Sequence, residues 1–150
     1  MTSQKSVDEF LSCKNFAVVG VSRKGSKFGN SIYKELKKKG MNVYGVNPNM
    51  EYIEGDKCFK NLKELEGNID AVINVVSPSQ TKDVITEANE IGVKNIWMQQ
   101  GSESEEAIKY CKEHGINEIH KECILMFADP VKSIHGFHRW VWKILGKLPN

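Results

Sequence analysis

No run of apolar residues in this 150-residue chain approaches the ~20 that a bilayer-spanning helix needs. Its opening, MTSQKSVDEF, lacks the basic-then-apolar layout of a secretory leader. Cysteine is sparse and scattered. Cys13, Cys58, Cys111 and Cys123 form no CxxC pair, which argues against a structural zinc site or a disulfide framework and points to reduced thiols in a cytoplasmic protein. Neither sign of charge dominates: 21 Lys and Arg face 19 Asp and Glu, a net of +2, so the balance announces neither nucleic acid nor membrane as a partner. Motifs that carry chemistry are missing as well. There is no carboxylate pair, serine triad, Walker P-loop or GxSxG elbow, so no residue is assigned as a catalyst. His135 and His138 sit three apart and, with Cys123, are the candidate metal ligands. Without a nearby carboxylate they read as structural or surface positions, and no metal site is assigned.

What is present describes a soluble globule. Hydrophobic residues make up 40% and charged residues 27%, and the length fits one domain over 1–150. The strands read as continuous apolar runs at Phe16–Val19, Val43–Val46, Ala71–Val76, Asn95–Met98 and Ile116–Ile119. Pairs such as Val18-Val19 and Val75-Val76 do not alternate with polar residues, as expected of strands covered on both faces. Amphipathic stretches lie between them, with apolar stripes at Phe28, Ile32, Leu36 and at Val84, Ile85, Ala88, Ile91. Gly40, Gly92 and Gly115 mark three helix-to-strand junctions. Ser6…Glu9, Asn61…Glu64 and Ser102…Glu105 have capping-box spacing, and Ser77-Pro78 offers a cap followed by proline at the first helical position. Alternating strand and helix imply a Rossmann-like, doubly wound α/β fold: five parallel strands in the order 3-2-1-4-5 with helices on both faces.

The most informative segment runs from Phe16 to Gly29. A buried strand ends at Gly20 and a helix begins near Lys27 or Phe28, where nucleotide-binding α/β domains place a pyrophosphate on free backbone N–H groups. The dinucleotide fingerprint is incomplete, because Ser22 stands where it wants glycine. Arg23, Lys24 and Lys27 cluster here as candidate phosphate contacts, and the competing reading is a solvated basic loop. The second strand ends in Val46-Asn47-Pro48-Asn49-Met50, with no acid before Glu51. A carboxylate there would favour free ribose hydroxyls; its absence tolerates a phosphate on that ribose, as in NADP or coenzyme A, while nearby Glu51 keeps NAD as an alternative.

Three stretches carry a family resemblance: Gly20-Val21-Ser22 after a buried strand, Gly-x-x-Val-x-x-Val-Asn-Pro over Gly40–Pro48, and Trp97-Met98-Gln99-Gln100-Gly101 after the fourth strand. In this order, across about residues 8–127, the chain resembles the CoA-binding domain family, small stand-alone relatives of the N-terminal domain of the succinyl-CoA synthetase alpha subunit. The resemblance implies CoA at the carboxyl ends of the strands. Gly20, Val21, Ser22 and Arg23 would meet the phosphates, Asn47 and Pro48 would border the adenosine, and Ser77, Pro78 and Met98 would line the path of the nucleotide and pantetheine. The synthetases also have a second alpha domain with a phosphorylated histidine and an ATP-binding subunit. Neither fits in 150 residues, so ligase activity is not carried over.

Two features stand outside that pattern. Cys123, beside Lys121 after the last strand, reads either as a reactive thiol at the ligand edge or as a small buried filler. Residues 131–150 form a basic amphipathic helix or tail, with Ile134, Phe137, Val141 and Leu148 at helical spacing beside Trp140 and Trp142. It reads first as packing on its own sheet, next as a subunit interface such as a homodimer, then as a membrane-surface contact. The leading expectation is a cytoplasmic CoA-binding carrier or regulatory module, holding CoA or acyl-CoA without ligase activity. The alternatives are an NAD(P)-dependent oxidoreductase of the same fold and a protein-interaction module with a vestigial nucleotide site.

Overall fold

The fold is given by a computed structural model, which describes residues 3–23 and 28–124. Lys24, Lys27, His135, His138 and the whole 131–150 segment lie outside the described residues. The elements run α1 (Gln4–Leu11), β1 (Asn15–Val19), α2 (Phe28–Lys38), β2 (Asn42–Val46), β3 (Tyr52–Ile53), β4 (Asp56–Phe59), a 3-10 turn (Leu62–Leu65), β5 (Ala71–Asn74), α3 (Pro78–Glu90), β6 (Asn95–Gln99), α4 (Glu105–Glu113) and β7 (Asn117–Glu122).

The class is as expected, a Rossmann-like α/β fold, but the strand count and order differ. The sheet has seven strands in the order β3-β4-β2-β1-β5-β6-β7, all parallel neighbours except the β3–β4 hairpin. The run at Ala71, taken as the third strand, is the fourth parallel one and lies on the far side of β1 from β2. The true third is β4, Asp-Lys-Cys-Phe. It escaped notice because it pairs with β2 only at Gly45↔Cys58 and Val46↔Phe59 and has one buried residue, so it carries no apolar run. Counting it, the parallel strands run 3-2-1-4-5-6, and the order reverses between β1 and β5.

Burial on both sheet faces explains the unbroken apolar runs. Along β1, Phe16 and Val18 point into a core with Phe10 of α1 and Ile32 and Leu36 of α2. Ala17 and Val19 point into a second core with Ile85 of α3 and Cys111 of α4. Gly40, Gly92 and Gly115 close their helices at φ +85°, +87° and +66°, a conformation that L side chains rarely adopt.

Two of the expected caps move. α1 starts one turn earlier, because Ser3 accepts from the Ser6 N–H at 3.1 Å. α4 is capped by Ser104, which accepts from Ala107 at 3.1 Å. Ser102 is not available for that role: it is buried, its N–H donates to the Gln99 carbonyl and its own carbonyl accepts from Thr81. Asn61 caps the 3-10 turn as expected, and Ser77 with Pro78 opens α3.

Candidate functional site

The carboxyl ends of β1, β2 and β5 meet around Gly20. Its backbone sits at φ +119°, and a Cβ there would lie 3.0 Å from the Val75 carbonyl carbon and 3.2 Å from the Val76 nitrogen. Gly29, in the first turn of α2, presses on the same point: its Cβ would stand 2.5 Å from the Gly20 carbonyl oxygen. Two glycines thus let strand, turn and helix cross where a doubly wound sheet opens its ligand crevice, at the reversal of strand order.

Side-chain amides hold the turn that follows. Asn30 is 2% exposed; its Oδ1 accepts from the Ser22 N–H and its Nδ2 donates to the Ser22 carbonyl, both at 2.7 Å. Asn47 donates through Nδ2 to the Val21 carbonyl and accepts from the Asn49 N–H, both at 2.7 Å. Gly20 N–H donates to the Val46 carbonyl. Of the four N–H groups over Gly20–Arg23, those of Val21 and Arg23 donate to no described residue.

Beside this turn lies a hollow of about 520 Å³, bounded by Ser22, Arg23 and Asn30 on one side and by the Asn49–Glu54 segment on the other. Arg23 crosses it, its Nη2 donating to the Asn49 carbonyl at 2.6 Å. Tyr52, 68% exposed, stands on its rim. The hairpin that forms this wall is tied to α2 by a Lys34–Glu54 pair at 3.7 Å, a Lys37–Asp56 pair and a 2.7 Å bond from the Tyr33 hydroxyl to Asp56. Cys58 lies buried beneath, where desolvation pushes its thiol up against a weaker opposing pull from the Asn47 N–H.

The structure therefore brings Gly20, Val21, Ser22, Arg23 and Asn47 together, with exposed Pro48 beside them. Ser77 and Pro78 are exposed at the start of α3, one residue past the Val75–Val76 backbone that touches Gly20. Met98 is different: it is fully buried in the core under α3 and α4 and presents no surface to the crevice. Val21 is likewise 1% exposed, backbone included, so it shapes the turn from within and presents almost no surface to the crevice. Asn30 and the hairpin were missed from sequence. Asn30 is buried with Gly29, Ile32, Tyr33 and Leu36 although it lies off the Phe28, Ile32, Leu36 stripe, so the sequence pattern carried no signal for it.

At the far end of the crevice a buried relay joins β5, α3 and the loop after β6. Asn74 Nδ2 donates to Thr81 Oγ1 at 2.9 Å, and Thr81 donates to the Ser102 carbonyl at 2.5 Å. Cys123 is half-buried just past β7. Its neighbour Lys121 sits at φ +62°, in a stretch where the β6–β7 register shifts. No group of three or more His, Cys, Asp or Glu among the described residues is placed to hold a metal ion, and no described helix is long and apolar enough to cross a membrane.

Fold and crevice together define a nucleotide-binding α/β domain of the doubly wound type. Comparison with known proteins makes this specific. A family model described as CoA binding domain matches residues 14–129, and the chain belongs to that family. It is 30% identical over 129 residues to the alpha subunit of an ADP-forming acetate–CoA ligase II from Pyrococcus furiosus, covering 79% of the chain and 28% of the subunit. It is 34% identical to YneT, an uncharacterized protein of Bacillus subtilis, across 81% of the chain and 91% of that protein. A solved structure of a conserved hypothetical protein from P. furiosus superposes with a TM-score of 0.72 at 39% identity, covering 75% of this chain and 97% of that one. The resemblance read from the sequence is thus borne out: these are ligase-associated and stand-alone forms of one domain. The nicotinamide alternative finds no support among them.

Proposed function

We propose that this protein binds coenzyme A or an acyl-CoA in the crevice around Gly20 and acts as a carrier or regulatory module, without a ligase step of its own. The observation that carries the reading is the glycine crossing at the strand-order reversal. Gly20 and Gly29 let strand, turn and helix pack backbone against backbone, which sets the turn at the mouth of the crevice where a phosphate would sit. Membership of the CoA binding domain family supplies the ligand class. The N–H of exposed Arg23 is the donor of this turn that would meet the pyrophosphate, since those of Gly20 and Ser22 are engaged internally and Val21 is buried. Exposed Ser77 and Pro78 would flank the pantetheine. Among the described residues the hollow beside the turn is lined by the Asn30 and Asn49 amides, the Arg23 guanidinium, the Glu51 and Glu54 carboxylates and the Met50–Ile53 segment, and the reading of a holding role rests on this lining.

Isothermal titration of the protein with CoA and with NADPH tests this. CoA should bind and NADPH should not, and Gly20→Val should abolish CoA binding while circular dichroism shows the fold retained. NADPH binding without CoA binding, or full CoA affinity in a folded Gly20→Val protein, overturns the reading.

A further inference from the structure

The side chain of Arg23 does not lie over the glycine turn from which it springs. It reaches the Asn49 carbonyl at 2.6 Å, just past the end of β2, and spans the 520 Å³ hollow. In a doubly wound domain the end of the second strand is where the ribose of an adenine nucleotide lies. The side chain that ordinarily reads that ribose stands first after the strand. Here that is Asn47, and its amide is consumed by Val21 and Asn49. Arg23 is the cation among the described lining residues, and the Asn49 carbonyl takes one of its five N–H donors, leaving the rest of the planar fork for an anion. The other charged groups of the hollow are carboxylates: Glu54, drawn to Lys34 at 3.7 Å, and exposed Glu51. Neither attracts a phosphate.

We infer that Arg23, anchored on the Asn49 carbonyl, is the residue that reads the ribose 3′-phosphate of the bound ligand rather than its pyrophosphate. This rests on the CoA reading above and adds specificity to it. The 3′-phosphate is what separates CoA from dephospho-CoA, so Arg23 sets the preference between them. Holding the guanidinium in place before the ligand arrives also lowers the ordering cost of the contact.

Titration of the wild type and of Arg23→Ala, Arg23→Gln, Arg23→Lys and Lys24→Ala with CoA and with dephospho-CoA tests the inference. The wild type should prefer CoA by about tenfold, the size of one partly exposed charge-assisted contact. Arg23→Ala and Arg23→Gln should remove that preference while leaving dephospho-CoA affinity within about twofold. Arg23→Lys should keep part of it, through charge without the fork. Lys24→Ala should leave the ratio unchanged. The preference should also shrink with added salt. Equal weakening of both ligands by Arg23→Ala would place the guanidinium on the pyrophosphate and overturn the inference, as would loss of the preference in Lys24→Ala alone. A wild type that binds neither ligand would instead remove the CoA reading itself.

Discussion

At the scale of single residues, Gly29 shows how far packing outweighs local preference. An exposed helix position gains about 1 kcal/mol from alanine in place of glycine. Gly29 is buried in the first turn of α2, and a methyl group there would stand 2.5 Å from the Gly20 oxygen and 3.3 Å from the Val21 nitrogen. Both are backbone atoms of the packed strand-to-helix turn, so neither yields as a flexible side chain would. Gly29→Ala should therefore destabilise the protein by about 1–3 kcal/mol, the range for overpacking, and weaken CoA binding by shifting the turn. Urea unfolding gives the sign: a more stable Gly29→Ala protein would mean that helix and strand separate freely. Asn30, next in the chain, has the complementary role. Its buried amide pairs with both polar groups of Ser22, so the turn is fixed by a side chain rather than by its own backbone.

At the scale of elements, the sheet is pinned from both ends. At the amino ends of the strands, Asn42 donates to Asn15 at 3.1 Å, Asn117 donates to Asn95 at 3.0 Å, and the Asp70 carboxylate accepts from the Lys14 and Asn15 N–H groups. These bonds join strands exactly where their ladders begin, with Asn15 opposite Asn42 and Asn95 opposite Asn117. At the carboxyl ends the tie is Thr81, whose hydroxyl accepts from Asn74 and donates to the Ser102 carbonyl. Thr81→Val keeps shape and removes both bonds, leaving buried polar groups unpaired beside the Asn74 Oδ1, which already lacks a partner. A loss of about 1–3 kcal/mol is expected. Thr81→Ser, which restores the hydroxyl, should recover most of it in the same urea titration. Equal losses in the two variants would assign the effect to the methyl group and not to the relay.

At the scale of the whole molecule, two cores sandwiching one sheet leave the described thiols in very different surroundings. Cys111 is fully buried between α4 and the sheet; desolvation, with a smaller push from the Glu118 charge, raises its thiol to about 12. Cys13 is raised to about 11, by burial first and then by Asp70 and Glu9. A thiol whose folded value is raised holds its proton more tightly in the native state. The associated stability is complete below the unfolded value near 9 and is lost as pH rises toward the folded value, at about 1.4 kcal/mol per pH unit for fully buried Cys111 and less for half-buried, solvent-screened Cys13. Urea unfolding at pH 8 and pH 10.5 should show a fall, and Cys111→Ala should fall by about 2 kcal/mol less than the wild type. An identical fall in both would show that Cys111 ionises no later in the folded state than in the unfolded one.

Much of this architecture was legible in the order of residues. Unbroken apolar runs meant strands covered on both faces, because alternation disappears when neither face meets water. Phe16–Val19 announced itself in this way and the stripes of α2 and α3 by their helical period, although Phe28, read as part of the α2 stripe, is 45% exposed and only Ile32 and Leu36 of that stripe enter the core; the glycines at 40, 92 and 115 marked where helices stop. The turn at Gly20 was legible too, since glycine after a buried strand and before a helix is a local signature. What the chain order left open depended on contacts between distant segments. The β4 strand has two residues paired with β2 and no apolar pattern, so it exists only by virtue of the sheet edge beside it. The expected order already put the reversal beside β1; counting β4 changes the strand across that junction from the Asn95–Met98 run to β5. The family resemblance implied Met98 on the ligand path, yet strand alternation turns it into the core. Arg23 sits in sequence beside the phosphate turn, and only the approach of the Asn49 carbonyl, 26 residues away, carries its guanidinium across the hollow. Periodicity and turn chemistry are local and can be read from the chain. The direction of a side chain and the partner it meets are decided by long-range packing, which no local pattern encodes.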